Sequence, residues 1–102
     1  SARDRDTNVA YNVACNPNVP REALTILAER RNMGILVAVV RNKNTPEEAL
    51  AKLARNNNRN LRVLIAEHEN TSRETLEFLL LKAVKEADQK LAETVRLALA
   101  KQ

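Results

Sequence analysis

Apolar positions return along the chain in one arrangement at intervals of 26 residues. Leu24, Leu27 and Ala28 lie at i, i+3 and i+4, as do Leu50, Leu53 and Ala54, and again Leu76, Leu79 and Leu80. That spacing puts each trio on one helical face, so three helices are predicted, each burying a narrow stripe. A polar stretch precedes each stripe. Thr45 is expected to N-cap the central helix, with Pro46 in its first position and Glu48 closing a capping box. Thr71 and Glu74 repeat the box with Ser72 in the proline place, whereas Val19, Pro20 and Glu22 lack the capping hydroxyl and start their helix less firmly.

Between these helices lie shorter apolar segments at 9–14, 35–40 and 61–66, with Val9 and Val13, Ile35 and Val39, Leu61 and Ile65 spaced by four. A helical turn brings such pairs together. The β-branched composition also suits a strand, which would give a parallel α/β sheet. Asn12 and Arg62 within the segments, and a length of about six residues, favour a short α or 3₁₀ turn. The fold expected is therefore all-α. At the start, Ala2 falls in register with Ala28 and Ala54, so the chain is expected to open on the tail of a repeat helix.

The third copy departs from the pattern. After Leu80, the residues Ala83, Val84 and Ala87 keep helical spacing where the other copies turn. A helix is predicted from about residue 72 to at least 85, unbroken between Leu80 and Val84. Residues 95–100 match 61–66 at an offset of 34, so about two helical turns have been added. Asp88 either caps a second helix to Lys101 or lies within one continuous helix. The organisation expected is one domain, 1–102, with a partial repeat 1–17, repeats 18–43 and 44–69, and an expanded repeat 70–102. Similar phases at the two ends fit a slice of a longer array, and a long third helix serving as a cap fits equally.

The residues Val9-Ala10-Tyr11-Asn12-Val13-Ala14-Cys15-Asn16-Pro17-Asn18-Val19-Pro20, the loop Asn42-Lys43-Asn44-Thr45-Pro46 and the segment Leu61-Arg62-Val63-Leu64-Ile65-Ala66 resemble the units of leucine-rich repeat variant (LRV) proteins. The resemblance covers nearly the whole chain. It implies a right-handed α-α superhelix, a solenoid of alternating α and 3₁₀ helices related in shape to HEAT and armadillo arrays. The iron-sulfur cluster of the family's founding member sits on a cysteine-rich segment outside the repeats, and Cys15 alone cannot supply such ligands.

Composition sharpens this picture. With 44% apolar residues but one Tyr, one Phe and no Trp, the core must be aliphatic, which suits thin helical layers. One Gly and three Pro argue against hairpins and flexible linkers. No apolar run reaches membrane-spanning length and no secretory leader opens the chain, so a soluble, cytoplasmic protein is expected, with the single Cys15 fitting a reducing compartment.

No catalytic, metal or cofactor site is expected. His68 takes the place of Asn16 and Asn42 in its loop and reads as a turn variant, since no second His or Cys accompanies it. Ser72 and Cys15 lack a base placed by any motif, and Gly34, the only glycine, cannot form a phosphate loop. Asn16, Asn18, Asn42, Asn44 and Asn70 recur at loop positions and read as a ladder of scaffold residues. Asn56, Asn57, Asn58 and Asn60 form a separate run. Around it the charge is uneven, for residues 30–66 hold Arg30, Arg31, Arg41, Lys43, Lys52, Arg55, Arg59 and Arg62 against Glu47 and Glu48 alone. These eight are candidate polyanion ligands, or else the solvated faces of loops, with Arg62 also a candidate structural arginine matched by Arg96. The function expected is a non-enzymatic scaffold binding another protein. Nucleic-acid binding through the basic middle repeat is the alternative, and a structural segment of a larger enzyme the third reading.

Overall fold

The structure is a computed structural model that describes residues 2–102, with side chains from residue 5 onward. Within the partial repeat 1–17, Ser1 and the side chains of Ala2, Arg3 and Asp4 lie outside the described residues. Seven helices follow in order: α1 Ala2–Cys15, α2 Arg21–Leu27, α3 Met33–Arg41, α4 Glu47–Leu53, α5 Arg59–Glu67, α6 Arg73–Lys85 and α7 Gln89–Ala100. No strand occurs among the described residues, which settles the α/β alternative. The segments expected as short turns are full α-helices of 9 residues in α3 and α5, longer than the 7 residues of α2 and α4. The opening is likewise one helix, α1, rather than a helix tail followed by a separate element.

Their starts explain the extra length. Asn32 and Asn58, themselves 26 apart, each accept a hydrogen bond from a backbone N–H of the first turn, those of Ile35 and Leu61. A side-chain cap of this kind satisfies one of the orphan donors of a helix start and offsets the weaker helix propensity of β-branched residues. In α3 the residues Ile35, Leu36, Ala38, Val39 and Val40 are all buried, so the apolar run is surrounded by protein on most of its circumference.

The caps of α2, α4 and α6 correct the sequence expectation. The residue before each helix is Pro20, Pro46 or Ser72, and only Ser72 caps with its side chain, accepting from Thr75 N–H. Thr45 and Thr71 are buried, and their hydroxyls donate backward to the carbonyls of Val39 and Ile65 in the preceding helix. A capping box cannot close at these residues, because Thr45 N–H already donates to Asn42 O and Thr71 N–H to His68 O.

α1, α3, α5 and α7 pack one against the next, while α2 and α4 lie on the other side of that row, α2 against α1, α3 and α4, and α4 against α5. The molecule is elongated, 42 × 24 × 16 Å. Leu24, Leu50, Leu61, Leu76, Leu79 and Leu91 are fully buried between the two layers, each contributing about 1.5–3 kcal/mol of apolar burial. No helix among the described residues is long and apolar enough to cross a membrane.

α6 is unbroken between Leu80 and Val84 and, at 13 residues, is nearly twice as long as α2 or α4. Asp88 caps a separate α7 by accepting from Leu91 N–H, so residues 72–101 form two helices. Between them Ala87 adopts φ 54, in the left-handed region. Asp88 N–H donates to Ala83 O at 2.8 Å and Ala87 N–H to Val84 O at 3.2 Å, the paired bonds that close a helix when its next residue turns left-handed.

Candidate functional site

The loops that enter α2, α4 and α6 share one construction. Asn16 Oδ1 accepts from Asn18 N–H and Asn42 Oδ1 from Asn44 N–H, both at 2.9 Å, and His68 Nδ1 accepts from Asn70 N–H at 3.0 Å. Each loop then reaches back to the loop before it. Asn42 Nδ2 donates to Ala14 O and Asn16 O, and Asn44 Nδ2 to Pro17 O. Asn70 Nδ2 donates to Lys43 O and Thr45 O. His68 fits the same rung through its ring: with Nδ1 accepting, the proton sits on Nε2, which donates to Asn42 O at 2.8 Å. Gln102 extends the series by donating to Thr71 O at 3.1 Å. Asn42, Asn44 and Asn70 are thus rungs of the ladder read from the sequence, Asn16 holds its own turn, and His68 is the turn variant. Gln102 escaped that reading, although its place after the 95–100 match corresponds to that of His68.

The eight basic candidates do not form one surface. Arg62 is 2% exposed, which removes it from the polyanion set. Its guanidinium donates to Asn56 O, Asn57 Oδ1 and Glu86 Oε1 at 2.9–3.1 Å, so the asparagine run beside it is a socket for a structural arginine. Arg96, the residue matched to Arg62, is exposed; three residues, 86–88, separate α6 from α7, where five, 54–58, separate α4 from α5. Arg30 pairs with Asp6, Lys52 with Glu29 and Arg59 with Asp88. Hydrogen bonds from these cations hold all three carboxyls below their ordinary range, and in Asp88 the Leu91 N–H adds to the effect. Arg55 lies over the Phe78 ring, 5.3 Å from its centroid, and Arg31, Arg41 and Lys43 are exposed. Among the described residues, four of the eight therefore have no ion pair: Arg41 on α3, and Arg31, Lys43 and Arg55 in the loops.

Three cavities with lining residues in common follow one another along α1, α3, α5 and α7. The first, of about 240 Å³, lies between α1 and α3 and is lined by Tyr11, Cys15, Val37 and Arg41. There the neighbouring Cys15 side chain raises the pKa of the Tyr11 phenol. Arg41 also lines the second, of about 250 Å³, together with Lys43, Glu67, His68 and Glu69. The last three line the third cavity as well, about 620 Å³, where Leu76, Leu97, Ala98 and Lys101 complete the wall. Among the described residues, no three His, Cys, Asp or Glu side chains are placed to hold a metal ion. A separate cavity of about 480 Å³ between α4 and α6 is walled by Glu47, Lys52, Arg55, Glu74 and Phe78. Compared with known proteins, the chain matches no family description, no curated protein and no solved structure.

Proposed function

We propose that the chain is an LRV-like helical-repeat solenoid acting as a non-enzymatic scaffold that binds another protein. The observation that carries this reading is the recurrence of one set of bonds at successive loops. Asn42 and His68 make equivalent rungs, as Thr45 and Thr71 make equivalent buried bonds, so the polar residues that recur in the sequence are occupied in joining one unit to the next. Side chains committed to scaffold bonds leave recognition to the faces and grooves between helices, the usual working surface of repeat proteins. The dispersal of the basic residues speaks for a protein partner over a polyanion, since one buried arginine and three ion-paired cations have little left to offer phosphates.

The test pairs two measurements on the purified chain: selection from a random-peptide display library, and retention on duplex DNA at low ionic strength. Enrichment of peptides that bind in isolation, with weak DNA retention, is the expected result. Salt-sensitive retention on DNA with no peptide enriched overturns the reading in favour of polyanion binding.

A further inference from the structure

We infer that the adjoining cavities along α1, α3, α5 and α7 form a docking groove for an extended peptide segment of a partner protein, one carrying a basic and an acidic side chain close together. This rests on the protein-binding reading above and names its surface.

Continuity comes first. Arg41 lines two of the cavities and Glu67, His68 and Glu69 the next two, so neighbouring cavities meet at common walls over which one extended segment can pass. Neighbouring helices pack roughly 8–10 Å apart, so crossing from α1 to α7 takes about 24–30 Å. About eight residues of extended chain, at roughly 3.3 Å each, cover that span.

Charge selects the occupant. Arg41 and Lys43 stand on the α3 side of the middle cavity, and Glu67 and Glu69 on the α5 side. Helix C-termini carry partial negative charge that favours cations. Arg41 is in the last turn of α3 and Lys101 follows α7, but α5 has no basic residue in its last turn and ends on Glu67. The last turn of α1 also lacks a basic residue, but of the two only α5 ends on a carboxylate, so the end of α5 is the place along the groove where a cation is wanted from outside, and an acidic side chain fits one helix spacing away beside Arg41 and Lys43. A polyanion lying along the same path meets two carboxylates midway and is disfavoured. Beyond them Leu97, 60% exposed, offers an apolar wall with Leu76 and Ala98 for a neighbouring aliphatic side chain. The rungs beneath, Asn42 and His68, are occupied by scaffold bonds, so recognition falls to the charged rim.

The test uses the full chain and the peptides enriched from the display library, read by fluorescence anisotropy. E67K/E69K reverses two exposed charges, and Glu74→Lys, in the separate cavity between α4 and α6, is the control. Circular dichroism checks that each variant is folded. The expected result is that E67K/E69K weakens binding by roughly tenfold or more, that Glu74→Lys leaves it within about twofold, and that exchanging the peptide's basic residue for an acidic one restores binding to E67K/E69K. Peptides that bind wild type and E67K/E69K equally overturn the groove while leaving protein binding in place. A library that yields no binder sinks both.

Discussion

The central copy and the expanded one share backward loop bonds and differ in what is built around them. Around α4, the link runs through loops: Asn42, Asn44 and Asn70 bond to backbone in the preceding loop, and short helices of 7 residues fill the space between. In the α6–α7 part the helices are longer, α6 and α7 pack extensively on each other, and the loop bonds of Asn70 and Thr71 are joined by two ion pairs at the turn between the helices, Arg59 to Asp88 and Arg62 to Glu86, beside which the central copy has the exposed pair of Lys52 with Glu29. The contrast shows that repeat phase survives an insertion of two turns when new helix surface replaces a polar loop.

Core truncation tests that contrast most strongly. Leu53 and Leu79 are equivalent positions, both buried, and Leu→Ala at either should cost about 2–5 kcal/mol in denaturant melts. Leu79→Ala is expected to cost more, since it opens a cavity where two long helices meet. A larger loss at Leu53 contradicts the view that the α6–α7 part carries more of the core.

Next comes the arginine that joins the two regions. Arg62→Ala should cost about 2–3 kcal/mol, because it removes three bonds from a buried guanidinium and strands the Asn56 carbonyl. Arg62→Lys should rescue little of it, as one ammonium lacks the fork that reaches three acceptors. Full rescue by lysine, measured in the same melts, would show that charge alone matters there.

Smaller and opposite in sign is Ala87→Gly. A non-glycine residue in the left-handed region costs roughly 1–2 kcal/mol, so the substitution should stabilise by about 1 kcal/mol, visible as a raised Tm. A lowered Tm would mean that α6 does not end in this turn.

Acid unfolding gives the finest contrast. Asp88 is held below its ordinary pKa by Arg59, so its contribution to stability is present above the unfolded carboxyl's ordinary 3.8 and is lost as pH falls through the lower folded value. Asp88→Asn, which retains a capping oxygen, should flatten the stability curve below about pH 4 while leaving its slope at pH 6–8 unchanged. A curve that stays parallel to wild type in acid would show that the Arg59 pair adds nothing.

How much of this was legible in the sequence follows from where each signal lay. Periodic leucines and loop asparagines carry their own spacing, so α2, α4, the unbroken α6 and most of the ladder could be read directly. The caps of α4 and α6 were misread by one residue because Thr45 and Thr71 look like N-caps locally, while their bonds go back across the turn to Val39 and Ile65. The end of α6 had no glycine to mark it. Burial of Arg62 depends on Glu86, 24 residues away, and no local pattern announces such a partner. The pairing of the other basic residues was hidden for the same reason, since Arg30, Lys52 and Arg59 each meet a carboxylate more than 20 residues distant. The groove is formed by four helices and has no sequence motif, and the caps of α3 and α5 at Asn32 and Asn58 went unread, although the two asparagines stand at the repeat spacing.

The claim on which the account rests is that loop side chains bond backward to the preceding loop, and His68 reports on it directly. Long-range ¹H–¹⁵N correlation spectra of its ring distinguish the two neutral tautomers. The account predicts a proton on Nε2, donated to Asn42 O, and a bare Nδ1 accepting from Asn70 N–H. A proton on Nδ1 in the neutral ring would contradict it, since neither bond of the rung could then form.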